Sequence, residues 1–253
     1  MTGGTSEPIV PRFYDAGETA LVVEFGRTVD PAINDRVLAL DAALAAEKLV
    51  GIRELVPTYR SLMIHYDPLA VSRAYLCETV LALAARNKGE RQTLGDRHWT
   101  LPCCYEGPHG EDLDEVCRLT GLSRDAVIQA HSSADYRIYM YGFAPAYCYL
   151  GGLPEALAIS RREKPRPPHA AGAVMIGGGL ASVTSFSMPT GWYVLGRTPE
   201  QLYQPARENP FLLMPGDTIR FEPIDADLFA ELEERALAGE IVARESMRAE
   251  EGP

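Results

Sequence analysis

The texture of the chain changes once, near residue 95, and that change limits the folds open to it. Before it, strand-like and helix-like periods alternate. Ala20-Leu21-Val22-Val23-Glu24-Phe25 reads as a mostly buried strand closed by Gly26. Asp30-Pro31 then offers an N-cap and a proline at the first helical position, where the missing N–H costs nothing. Ile33, Val37, Leu40 and Leu44 follow on one helical face. A strand over 59–67 places Leu62, Ile64 and Tyr66 on one side and stops at Asp67-Pro68. A second helix over about 70–85 buries Leu76, Val80 and Leu83. Strand, helix, strand, helix is the pattern of a small ferredoxin-like α/β sandwich.

A polar connector at 87–97 ends that pattern. Residues 99–105 read as a short strand, and 112–120 and 123–131 as short helices, the second capped by Ser123. From 136 to 222 the chain is rich in Gly, Pro, aromatic and β-branched residues in short runs, which predicts a β-rich, barrel-like body. Leu213-Met214-Pro215-Gly216-Asp217 is a turn that launches a strand over 218–221. The expected fold is α+β, with a ferredoxin-like domain over 12–95, a barrel domain over 96–224 and an acidic helical tail over 225–253.

Composition narrows the class. The 253 residues are 46% hydrophobic and 23% charged, inside the range of folded domains, and long enough to bury a core without staples. The net charge of −11 argues against a nucleic-acid backbone or an anionic membrane as partner. Residues 225–253 hold nine acids and three arginines, so about half of that charge belongs to the tail. The five cysteines form no C-x-x-C pair, and the first residues carry neither a basic n-region nor an apolar h-region. A cytoplasmic chain with reduced thiols is expected. The glycine run 177–179 is not followed by G-K-[ST], and neither G-x-G-x-x-G nor G-x-S-x-G occurs. Histidines 65, 98, 109, 131 and 169 lack metal-site spacing.

The densest candidate chemistry lies between 131 and 199. His131 at a helix end is either a proton shuttle or a solvent-facing histidine favoured by the helix dipole. Residues 142–153 mix aromatics with turn formers, as a ligand-approaching loop or a barrel corner would. The run Arg161-Arg162-Glu163-Lys164-Pro165-Arg166-Pro167-Pro168-His169 is locally basic; it is an anion clamp stiffened by proline or a solvated charge run. Residues 172–179 are a strand entering a glycine turn, which forms an anion nest or a plain hairpin. Arg197 leaves a glycine-bounded strand as a second clamp or a rim ion pair.

These residues carry a family resemblance. His131, Tyr136, Gly142-Phe143-x-Pro145, Tyr149-Leu150-x-Gly152-Leu153, Arg162, Pro165-Arg166, Gly172-x-Val174, Gly191-Trp192, Gly196-Arg197-Thr198-Pro199 and Pro215-Gly216-Asp217 resemble the family of the B-type 5-oxoprolinase subunit, also known as allophanate hydrolase subunit 1 or the KipI-like carboxyltransferase domain. The resemblance implies a ferredoxin-like domain followed by a cyclophilin-like β-barrel. It implies two partners in an ATP-driven opening of 5-oxo-L-proline. One is a homologous C-type subunit, similar to allophanate hydrolase subunit 2, and the other an A-type subunit of the LamB/YcsF kind. The alternatives it implies are the carboxyltransferase part of a urea carboxylase, with biotin carried by a partner, and a KipI-like inhibitor of a sensor histidine kinase. On this basis His131 would handle protons, and Arg166 and Arg197 would hold carboxylate or phosphate. Tyr136, Gly142, Phe143, Pro145, Tyr149, Gly172, Gly178 and Trp192 would shape the substrate pocket, and no metal is expected. Ala146-Tyr147 replaces the family's Gly-Phe, and residues 179–192 lack its Gln-Thr-Gly and Ser-Pro-Gly-Gly-Trp. A divergent member acting on a lactam, amide or urea-like compound is therefore expected.

Overall fold

The computed structural model describes residues 10–86 and 97–247. The chain divides into two compact units, Met1–Thr93 and Leu94–Pro253. The connector expected at 87–97 and the boundary at 95 fall almost wholly outside the described residues, as do most of the N-terminal lead-in and the last six positions.

The first unit is an antiparallel sheet carrying two helices. Strands β1 (Arg12–Asp15), β2 (Ala20–Glu24), β3 (Ile52–Pro57) and β4 (Ser61–Tyr66) lie in the order β1-β2-β4-β3. Register pairs Leu21 with Ile64 and Val23 with Leu62, so all four side chains share the buried face. Helix α1 (Pro31–Glu47) begins as its sequence requires: the Asp30 carboxylate accepts from the Ala32 and Ile33 amides at 2.7 and 3.3 Å. Val37, Leu40 and Leu44 meet Leu76, Val80 and Leu83 of α2 (Arg73–Arg86) in one core with the sheet. Each such leucine contributes about 2 kcal/mol by leaving water. β3 is the strand that periodicity does not reveal, because a register irregularity between Ile52 and Glu54 breaks its alternation.

The second unit is a closed seven-strand barrel. β5 (Arg97–Cys104) lies parallel to β13 (Thr218–Ile224). β6 (Tyr136–Gly142), β7 (Ala144–Gly151), β9 (Ala173–Gly177), β10 (Leu180–Val183) and β12 (Tyr193–Arg197) complete the ring through antiparallel neighbours. Pairing of Arg197 with Cys104 closes it. At that seam a Cβ on Gly196 would lie 2.7 Å from the Cys103 sulfur and 2.9 Å from the Cys104 carbonyl, so only glycine lets the strands meet. Leu101, Ile138, Leu150, Ile176, Leu195 and Phe221 fill the interior, which is a packed core. A ribbon of β8 (Arg166–His169) and β11 (Met188–Thr190) stands outside the ring. Helices α3 (Leu113–Thr120) and α4 (Arg124–Ser132) fall where the sequence placed them, and Ser123 caps α4 by accepting from Ala126 N.

The C-terminal segment is not one helix. Helix α5 (Ala226–Leu237) is followed by strand β14 (Arg244–Met247), which pairs antiparallel with β5. The Glu200 carboxylate, 2% exposed, accepts from the Val242 and Ala243 amides and from Arg207, and so pins the turn between them. The acidic run hid a strand whose reason for existing is a carboxylate some forty residues upstream.

Two other buried carboxylates fix the outside of the barrel. Asp217 in the Pro-Gly-Asp turn accepts from Arg97 at 2.6 Å, from the Trp99 indole at 3.2 Å and from Met214 N at 2.9 Å. Asp112 accepts from Arg162 at 2.6 Å, from Arg166, and from Val194 N at 2.8 Å. Glu115 accepts from the same Arg162 nitrogen that meets Asp112, and Glu111 accepts from the other terminal nitrogen of Arg166.

Removing the shared carboxylate with Asp112→Ala leaves two half-buried guanidiniums short of charge and is expected to cost about 2–4 kcal/mol in urea unfolding. A cost below about 0.5 kcal/mol would show that the network is not what pins this surface. Asp41, on α1, makes no hydrogen bond or ion pair among the described residues, and burial pushes its carboxyl up from 3.8 to about 6. A raised carboxyl pKa means the fold loses stability as pH climbs from about 4 to 6 and the group ionises. Asp41→Asn should thus stabilise by about 1 kcal/mol at pH 8, allowing for solvent screening, and have no such benefit at pH 3.

Candidate functional site

The β6–β7 hairpin presents its tip in an unusual backbone state. Phe143 and Ala146 both adopt positive φ, at 68° and 54°. An L-residue with a side chain there costs about 1–2 kcal/mol, and such strain gathers at functional sites. Phe143 is 76% exposed, and its ring meets Tyr147 edge-on at 5.9 Å. From there aromatic rings run along the outer wall of the barrel. Tyr147 lies 5.0 Å from Tyr149, Tyr149 lies 6.2 Å from Trp192, and the Arg161 guanidinium stands over Trp192 at 5.0 Å. The Tyr147 hydroxyl donates to Ser182 at 3.1 Å, and the Ser185 hydroxyl donates to the Pro145 carbonyl. A Cβ on Gly142 would come within 3.1 Å of the Tyr149 ring, so glycine lets the hairpin lie against that wall.

Six of the expected residues therefore share one face: Gly142, Phe143, Pro145, Tyr149, Gly178 and Trp192. Gly178 and Gly179, at φ 63° and 76°, are the two central residues of the β9–β10 hairpin. The Gly178 amide donates to the Ile159 carbonyl at 2.8 Å, so this turn is a hairpin and not an anion nest. Gly172, at φ 77°, lies instead in a small polar cleft with Ala171, Thr184, Ser185, Arg197 and Thr198.

The expected clamps and proton handler stand elsewhere. Arg166 is spent on Glu111 and Asp112. Arg197 donates to the Ala171 carbonyl at 2.8 Å and to Glu233 at 2.7 Å and lies over the Phe229 ring, tying α5 to the barrel. Both are structural cations here, because carboxylates distant in sequence neutralise them. His131 neither shuttles protons at a surface nor faces solvent. It is fully buried, stacked on Phe221 at 4.8 Å, with Nδ1 2.8 Å from the Tyr105 hydroxyl. Tyr136 sits beside it in the core and donates to the His131 carbonyl at 3.0 Å. Burial pulls the His131 imidazole down to about 3, so it is neutral.

Sequence reasoning noted Tyr147 only as a departure from the family pattern, did not name Asp112 as a site residue, and did not separate Arg161 from its basic neighbours. No local signal distinguishes Arg161 from Arg162; the difference is which of them reaches Asp112. Among the described residues no group of three or more His, Cys, Asp or Glu side chains could hold a metal ion. No described helix is long and apolar enough to cross a membrane.

Because the imidazole is uncharged in the fold and charged in the open chain between about pH 3 and 6.5, stability should fall as pH drops through that window. His131→Phe should flatten this acid limb in denaturation curves measured from pH 7 to 4. It should cost about 1–2 kcal/mol at neutral pH through the stranded Tyr105 hydroxyl. An acid limb as steep as in the parent protein would show that His131 titrates normally.

Residues 11–213 match the family described as carboxyltransferase domain, subdomain C and D. The B-type 5-oxoprolinase subunit of Bacillus subtilis (strain 168) is 34% identical over 218 residues, covering 81% of this chain and 89% of that protein. The crystal structure of TTHA0988 superposes with a TM-score of 0.72 at 35% identity over 82% of this chain, and the match spans 40% of that longer chain. The K. lactis urea amidolyase structure shares the fold, with a TM-score of 0.75 at 19% identity, over 97% of this chain and 17% of that one. Since the family match runs from the first strand through both units nearly to the Pro-Gly-Asp turn, the chain belongs to the carboxyltransferase-domain family that includes the B-type 5-oxoprolinase subunit.

Proposed function

We propose that the chain is the B-type component of an ATP-dependent, lactam-hydrolysing complex, working in the cytoplasm with two other subunits. These are a homologous C-type subunit, similar to allophanate hydrolase subunit 2, and an A-type subunit of the LamB/YcsF kind. The observation that carries this reading is the extent of similarity. It covers 89% of a B-type 5-oxoprolinase subunit, whereas the urea amidolyase of Lachancea kluyveri is matched over 13% of its length. The internal pairing of Arg162, Arg166 and Arg197 supports a role within an assembly. Ring opening adds water across a lactam C–N bond and requires the carbonyl to be activated by phosphoryl transfer from ATP. A triphosphate needs free cations or an open amide nest. The three arginines and the Gly178 amide are already occupied, so they do not fit a nucleotide. In this reading ATP is handled by a partner, and this chain holds and orients the organic substrate against its aromatic wall. Biotin has no role in it.

Co-expression with the C-type and A-type partners should yield a stable complex that converts 5-oxo-L-proline to glutamate with ADP release, and omission of any component should abolish turnover. No complex and no turnover would overturn the reading. Carboxylation of urea only with a biotin carboxylase partner, or inhibition of a sensor histidine kinase by the chain alone, would also overturn it.

A further inference from the structure

We propose that Arg161, stacked on Trp192 beside Tyr147, is a recognition site for the carboxylate of a small planar ligand. Arg161 differs from the cations around it. Arg162 and Arg166 share Asp112, Arg197 takes Glu233, Arg207 takes Glu200 and Arg97 takes Asp217. Arg161 makes no hydrogen bond or ion pair among the described residues, in a chain with 35 acidic side chains. Its guanidinium is nonetheless held in place. The indole lies beneath it at 5.0 Å, and a guanidinium held over a ring keeps its charge and its planar fork of donors, which suits a carboxylate.

The backbone under the stack is cleared for it. A Cβ on Gly177 would lie 3.2 Å from the Trp192 ring and 3.4 Å from Arg161, and one on Gly178 would lie 3.4 Å from the Arg161 Nε. Tyr147 packs in the same cluster as Trp192, and its hydroxyl donates to Ser182 at 3.1 Å. Tyr149 and the strained, exposed Phe143 extend the same wall. The Trp192 and Tyr147 rings are themselves buried, so a flat ring would lie against the half-buried Tyr149 with its carboxylate at the exposed Arg161 guanidinium, combining stacking with a charge-assisted pair. Naming that ligand as 5-oxo-L-proline, a five-membered lactam with one carboxylate, rests on the function proposed above; the site itself rests on the geometry.

The sequence holds two tryptophans, so Trp99→Phe leaves Trp192 as the one fluorophore. Titrating this variant with 5-oxo-L-proline should give a saturable change in emission. 2-Pyrrolidinone, with the ring but no carboxylate, and acetate, with the carboxylate but no ring, should each bind at least about tenfold more weakly. Arg161→Met should weaken 5-oxo-L-proline binding by a similar factor. Calorimetry on the chain with both tryptophans intact repeats the comparison should Trp99→Phe fail to fold. Absence of saturable binding, an Arg161→Met affinity within twofold of the parent, or acetate binding as tightly as 5-oxo-L-proline would overturn the site. In the assembled complex, an unchanged KM with Arg161→Met would discard the site and leave the lactam hydrolase standing. A wild-type complex inert towards 5-oxo-L-proline would discard the hydrolase and leave the titration to judge the site.

Discussion

Burying a carboxylate in a protein interior costs several kcal/mol unless donors meet both of its oxygens. Asp112 meets that condition with three segments at once. Its oxygens take Arg162, Arg166 and the Val194 amide, and its own amide donates to the Val194 carbonyl at 3.0 Å. The start of α3, the proline-stiffened 161–169 segment and barrel strand β12 are therefore fixed relative to each other around one side chain. Trp192 and Arg161 each lie beside a residue in that knot, Tyr193 packing under the Arg162 guanidinium at 4.4 Å. The aromatic wall is thus tied through neighbouring chain positions to this ion-pair network.

This arrangement divides the basic residues into two kinds. Most are consumed in holding an acidic chain together, and their charge is cancelled where it stands. Arg161 alone in the arginine-rich 161–166 segment is stacked instead of paired. A stacked guanidinium keeps its charge and its orientation, the two properties that an anion-recognising group needs. The strained hairpin tip adds a second cost that packing alone does not require, since Phe143 leaves most of its ring in solvent.

The elements that could be read directly from the chain are those whose cause is local. Asp30-Pro31 and Ser123 announce their helices because capping involves residues two or three positions apart. Leu62, Ile64 and Tyr66 announce β4 because alternation is local too. The misreadings share the opposite origin. Arg166 looked like a clamp because Asp112 and Glu111 are more than fifty residues away. His131 looked like a surface or catalytic group because Phe221, which covers it, arrives ninety residues later. Strand β14 was hidden within an acidic run because its partner is β5 and its anchor is Glu200. The family resemblance named residues that lie on the aromatic face as expectations, whereas telling Arg161 from Arg162 and Arg166 required knowing where Asp112 and Glu111 lie in space.

The closure of the barrel carries a consequence for how the chain is made. β5 ends at Cys104, yet its three neighbours are β13 from Thr218, the Arg197 end of β12, and β14 from Arg244. At roughly 5–20 residues per second of synthesis, β5 waits on the order of ten seconds for its parallel partner to emerge. Until β12 emerges, an apolar strand has both edges open, the condition under which strands pair with the wrong chain. The first unit, whose four strands and two helices are complete by Arg86, has no such delay. A nascent chain of this protein therefore passes through a stage with one half folded and the other held open by its first strand.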